Sequence, residues 1–257
     1  MAKHLLIAPA DGEIGSHLET ACGNEGYAIT TARARGGKTT PDSATSDESH
    51  QRYSDRGDES GQRIGVRWEA RSFISARNLI LAGTNRFERL DVALLIQEPD
   101  NTVLVRPDQS TYDRGSSNDT VGESSRLTLL GALHTNSPTT IERHLDLKVT
   151  GMMLLAREAL SVMVRQRSGT LLMVLSAPLD IPSTSVEASA QAAFIACAES
   201  LSVEYQNEPV DIVLFESQKS DAPGFASYIV SNLDSLSDGR RYRYGSRSPG
   251  RLRLGGK

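Results

Sequence analysis

Apolar residues in this chain fall into two patterns. In one they are continuous: "HLLIA" at 4–8, "LDVALLI" at 90–96, "TLLMVLS" at 170–176 and "VDIVLF" at 210–215 are short, nearly unbroken aliphatic runs. Such runs suit strands of a parallel sheet that is covered on both faces. In the other pattern apolar residues return every three or four positions, which predicts helices over 15–25, 72–88, 141–165 and 187–206. The first of these carries Leu18, Ala21 and Cys22 on one side, and the third runs through Gly151. "GYAITTAR" at 26–33 reads as a second strand and "IGVRW" at 64–68 as a short third one. Strand and helix alternate from end to end, which predicts an α/β fold with right-handed crossovers and a mostly parallel sheet.

Two stretches break the pattern. Residues 36–63 contain one aromatic residue and no Leu, Ile, Val or Met, too little apolar surface to offset chain ordering. Residues 98–126 form a second polar insertion, in which "VLVRP" is a candidate edge strand. The expected organisation is one Rossmann-like, doubly wound domain over 1–238 with these two mobile insertions, followed by a basic tail over 239–257. The tail carries seven basic residues, no acidic ones and two tyrosines. It reads either as an RNA- or phosphate-binding segment, or as a solvated terminus or an edge ordered by an acidic surface.

Composition narrows the function classes. Among 257 residues, 28 basic and 32 acidic side chains give a net charge of −4, so nucleic acid is not expected as a partner. No run of 18 apolar residues suggests a membrane span, and the first apolar run is too short for a signal peptide. The two cysteines, Cys22 and Cys197, lie far apart and are expected as free thiols in a reducing, cytoplasmic setting. The five histidines show no zinc-ligand spacing, so no metal is expected.

Several phrases resemble the short-chain dehydrogenase/reductase family. "NRFERLDVALLI" is similar to its "ERFGRLDVLVNNAG" strand, "LDLKVTGMMLLAREAL" to its "DVNLTGTFLVTRAAL" helix, "SGTLLMVLSA" to its "SGRIVNISS" strand, and "ASAQAAFIACAESLSVEY" to its "YAASKAAVIGLTRSLALEL" helix. The resemblance implies a nicotinamide-nucleotide loop T-G-x-x-x-G-I-G at Ala8-Pro9-Ala10-Asp11-Gly12-Glu13-Ile14-Gly15. Of the loop's glycines only the last, Gly15, matches. Pro9 and Glu13 stand where such a turn usually needs glycine, Gly12 is a vestige, and Glu13 with Asp11 adds negative charge near the place for a dianion. Arg33 stands where NADP-preferring members often carry a basic residue. The N-N-A-G wall becomes Leu95-Ile96-Gln97-Glu98, which reads as core filling. Of the four reacting positions, the family's Ser is retained as Ser176, its Asn is Lys148, its Tyr is Glu187 and its Lys is Gln191. A glutamate is ionised at neutral pH unless it is strongly buried, and Gln191 supplies no cation. A Lys148–Glu187 ion pair is therefore expected to fill an abandoned site.

The resemblance thus implies a catalytically silent member that binds no cofactor. In this family the two long helices pack against those of a second subunit. Met152, Leu155 and Ala159 on one helix, with Ala188, Ala192, Ile195 and Glu199 on the other, are the expected interface. The expected partner is a homologous active dehydrogenase in a heterotetramer, of the kind that handles hydroxyacyl-CoA substrates. The alternative is a divergent oxidoreductase that binds NADP or NAD, with Arg33 holding the 2′-phosphate and Ser176 and Glu187 reacting.

Overall fold

A computed structural model describes residues 2–34, 62–99, 133–178, 183–236, 239–245 and 252–253. The bulk of both polar insertions, including the candidate strand "VLVRP", lies outside the described residues.

The strands are β1 His4–Ala8, β2 Ala28–Ala34, β3 Arg63–Trp68, β4 Val92–Gln97, β5 Thr170–Ser176, β6 Asp211–Ser217, β7 Arg240–Tyr244 and β8 Leu252–Arg253. They form one sheet in the order β3-β2-β1-β4-β5-β6-β7-β8. Every neighbouring pair is parallel except β7 and β8. The helices are α1 Glu13–Asn24, α2 Phe73–Phe87, α3 Pro138–Leu145, α4 Gly151–Gln166, α5 Ser185–Glu204 and α6 Ala222–Asn232. This is the doubly wound α/β sheet that the sequence predicts.

Alternate residues of the central strands feed two cores, which is why those strands are continuously aliphatic. Leu6, Leu95, Met173 and Leu214 pack with α2, α4 and α5 on one face. Leu5, Ile7, Leu94, Val174 and Phe215 pack with α1 and α6 on the other. Strand order reverses between β1 and β4, so the crevice for a ligand of such a sheet lies at the carboxyl ends of these two strands.

Three expectations change here. The helix predicted over 141–165 is α3 and α4 joined by a π turn, Asp146–Thr150. Gly151 follows the turn because a Cβ there would meet Trp68 Cζ2 at 2.8 Å and Ala70 Cβ at 2.9 Å. The sheet also runs past residue 238, since 240–244, counted with the basic tail, is β7. Its Arg-Tyr-Arg alternation is a strand period. Tyr242 turns inward and stacks on Phe215, with centroids 4.7 Å apart. Arg241 Nε and Arg243 Nε, on the other face, donate to Glu216 Oε2 at 3.0 and 3.1 Å. Finally, Met152, Leu155 and Ala159 are 2%, 0% and 0% exposed and belong to the chain's own core, so they present no surface to a partner. These three lie on the side of α4 that faces the sheet; Met153, 54% exposed, faces out.

Candidate functional site

The crevice is built from the turn after β1, the first turn of α1 and the residues after β4. Ala10 N–H donates to the Ala32 carbonyl at 2.7 Å, which ties the turn to β2. Gly15 lies so close beneath it that a Cβ would meet Ala10 Cα at 2.8 Å and the Pro9 carbonyl oxygen at 3.0 Å. The retained glycine therefore serves close helix–strand packing.

Gly12 is the N-cap of α1 and offers no side chain to the orphan N–H groups of the first turn. Their partner comes from β4. Ile14 N–H donates to Glu98 Oε2 at 3.1 Å. The Glu98 carboxylate lies across Gly12 so closely that a Cβ on Gly12 would fall 1.5 Å from Glu98 Oε1 and 2.1 Å from its carboxyl carbon. A side chain 84 residues away thus does the work of an N-cap. Burial pushes the Glu98 carboxyl above the ordinary carboxylate range, against the opposing pull of the Ile14, Glu13 and Gly15 amides and the Lys148 charge. Asp11 and Glu13 are exposed, so the acidic group on the helix terminus is Glu98 rather than Glu13.

Lys148, buried in the π turn, donates from Nζ to the backbone carbonyl of Glu98. It holds the residue whose side chain covers α1, which corrects the expected Lys148–Glu187 pair. Glu187, in the first turn of α5, instead meets His144 at the end of α3. His144 Nε2 is 2.8 Å from Glu187 Oε2, with the two side chains 1% and 9% exposed. The close approach is off the N–H axis, so it is a polar contact rather than an aligned hydrogen bond. Gln191, one turn on, donates from Nε2 to Glu187 Oε1 at 3.4 Å.

Two cavities flank Glu98. One of about 60 Å³ is lined by Ser176, Ile14, Glu98, Asp221 and Phe225 among others. The other, of about 300 Å³, is lined by Asp11, Gly12, Glu13, Glu98, Leu147 and Lys148 among others. Ser176 opens to the smaller one, but neither Glu187 nor Gln191 lines either cavity. Arg33, at the end of β2, is exposed and leans on Glu19 of α1 at 3.6 Å. Ala188 and Ala192 are exposed on α5, and Ile195 and Glu199 are half-buried. Cys22 is buried, Cys197 half-buried, and burial pushes the Cys22 thiol to about 12. No group of three or more ligating side chains capable of holding a metal exists among the described residues. No helix among them is long and apolar enough to cross a membrane.

No protein-family model matches the chain, and no curated protein sequence matches it. Solved structures do. A short-chain type dehydrogenase/reductase from Mycobacterium marinum is 16% identical, with a TM-score of 0.57 over 84% of this chain and 74% of that one. Levodione reductase is 13% identical, with a TM-score of 0.62 over 94% and 95%. A protein assigned as a 3-oxoacyl-reductase from Bacillus thuringiensis is 12% identical, with a TM-score of 0.63 over 97% and 100%. The fold is that of the short-chain dehydrogenases and reductases. A dinucleotide in this fold needs backbone N–H groups of the α1 terminus free to meet a pyrophosphate. In this structure the Glu98 carboxylate occupies that cradle.

Glu98 and His144 carry this geometry, and neither stands out from the pattern of residues alone. Glu98 had one signal: a carboxylate standing where the resemblance puts the glycine of N-N-A-G. His144 sits four residues before Lys148, and its only sequence signal is the lack of zinc-ligand spacing.

Proposed function

We propose that the chain is a non-catalytic subunit of short-chain-dehydrogenase fold that supports an active dehydrogenase or reductase partner. One observation carries this reading: Glu187, at the position of the family's proton donor, is closed into a buried contact with His144, and it is not among the described residues that line the cavity at Ser176. A proton donor has to come within hydrogen-bond reach of the reacting atom. Here the donor position is a strut between α3 and α5, and Gln191 brings it no positive charge.

The surface left for a partner is the outer side of α5. Ala188 and Ala192 are exposed there, and Val203 is 48% exposed. Small residues on a helix face allow another helix to come close. The partner is a homologous active subunit, and a hydroxyacyl-CoA dehydrogenase complex is the kind of system implied.

A second reading keeps the chain as an oxidoreductase binding NADP or NAD, and one observation favours it. Ser176 still lines a cavity at the carboxyl edge of the sheet, and Arg33 is exposed at the end of β2. One experiment separates the two. The purified chain is titrated with NAD(H) and NADP(H) and assayed with simple ketones, and proteins co-purifying from the native source are identified by mass. The subunit reading expects no nucleotide binding up to about millimolar levels and a dehydrogenase that co-purifies. Micromolar NADP(H) affinity lost on Arg33→Ala, or turnover by the chain alone, overturns it.

A further inference from the structure

We infer that Glu98 is an intramolecular occupant of the anion seat at the N-terminus of α1, a tethered carboxylate that keeps phosphoryl groups out of this crevice. The inference concerns this chain's own side chain and does not depend on a partner subunit or on the fate of Glu187.

The geometry is specific. Glu98 Oε2 takes the Ile14 N–H at 3.1 Å, and Glu98 Oε1 occupies the space above Gly12 that any Cβ would enter. The Gly12 backbone is extended, at φ −86° and ψ 176°, so that position demands no glycine for its dihedral angles. The space above it is filled by the far end of the Glu98 side chain. The residue is anchored from behind as well, since Lys148 Nζ donates to its carbonyl oxygen. A helix N-terminus attracts anions through its unpaired N–H groups and its dipole. In this protein that attraction is already met by an intramolecular group, which competes at a high effective concentration. Asp11 and Glu13 are exposed and screened by salt. Occupancy by Glu98, more than repulsion from these two, closes the seat.

The test uses the full chain with magnesium-free inorganic pyrophosphate as the probe, read as the thermal midpoint. Glu98→Ala exposes the seat, and pyrophosphate at about ten times its dissociation constant is expected to raise that variant's Tm by about 3 °C. Wild type is expected to move by less than a third as much. Glu98→Ser is run in parallel in case the alanine variant does not fold, with the same expectation. In the double variant Glu98→Ala with Gly12→Ala, the new Cβ takes the vacated space, and the response is expected to disappear. Equal stabilisation of wild type and Glu98→Ala overturns the inference. So does a response that survives Gly12→Ala, or silence from both Glu98→Ala and Glu98→Ser.

Discussion

His144 and Glu187 stand 2.8 Å apart in the interior and fasten the end of α3 to the first turn of α5. Glu187 is the residue that the resemblance matches to the family's proton donor. Removing one partner leaves the other polar group buried without its counterpart. His144→Leu and Glu187→Leu are each expected to cost about 3–5 kcal/mol in urea unfolding. The double leucine variant is expected to lose less than the sum of the two single losses, because neither side chain is then left facing the gap of the other. Additive losses would show that the two side chains do not act as a pair.

Glu98 gives the protein a particular response to pH. Its folded-state carboxyl is raised above the ordinary 4.5, with burial as the dominant cause. The folded state therefore holds this proton to higher pH than the unfolded chain does. The stability linked to Glu98 is complete below its unfolded value and is lost as pH rises through the folded one. Glu98→Gln imitates the protonated form and does not titrate. Its Tm relative to wild type is expected to improve from about pH 4 to about pH 7. A constant difference across that range would mean that Glu98 ionises in the fold as it does in water.

The sheet was legible because its central strands are buried on both faces, so "HLLIA" and "TLLMVLS" carry no polar interruption. Strand β7 was not, because its arginines read as a solvated tail until Glu216 is seen beneath them. The resemblance singled out Ser176, Glu187, Gln191 and Lys148, but it did not say what each would touch. The π turn at Asp146–Thr150 inserts a residue and shifts the following side chains by about 100° from α-helical phase. Spacing arithmetic on a regular helix cannot then say whether Lys148 meets Glu187 or Glu98. Glu98 itself is separated from Ile14 by 84 residues, a distance over which no local pattern reports contact.

Gly15 is predicted to be intolerant of any side chain. The atoms that a Cβ would meet belong to the backbone of Ala10 and Pro9, at 2.8–3.0 Å, and cannot rotate away. Gly15→Ala is expected to cost about 1–3 kcal/mol. Gly65, where the nearest atom to an added Cβ is Thr31 Oγ1 at 3.7 Å, is the control. Gly65→Ala is expected to stay within about 0.5 kcal/mol of wild type in the same denaturation series.

The acid limb of stability should carry the signature of His4. Its ring is buried, Nδ1–H donates to the Arg89 carbonyl at 2.5 Å, and Nε2 accepts from the Thr30 hydroxyl at 2.9 Å. Burial lowers its pKa from the ordinary 6.5 despite the Arg89 carbonyl and nearby Asp91. The unfolded chain then takes up this proton first, so the linked stability is present above 6.5 and is lost as pH falls below it. His4→Leu is expected to cost about 1–3 kcal/mol at neutral pH by stranding Thr30 and Arg89. It is also expected to flatten the decline between about pH 6.5 and pH 5. An unchanged slope would assign the acid limb to other groups.

The exposed side of α5 provides the most direct test of the subunit reading. Ala192 is exposed, one turn beyond Ala188, and its Cβ supports no internal packing. Ala192→Glu is therefore expected to leave the unfolding midpoint of the isolated chain within about 0.5 kcal/mol of wild type. If α5 packs on a helix of a partner, the glutamate brings an unpaired charge into a close apolar contact, where its desolvation costs several kcal/mol. Co-purification of the dehydrogenase partner is then expected to fall at least tenfold, while the variant circulates as a folded monomer. Glu199→Gln, further along the same helix and half-buried, removes a charge and is expected to weaken pairing less. Pairing that survives Ala192→Glu unchanged would move the interface away from α5, because no side chain of that size fits between two helices held apart only by alanines.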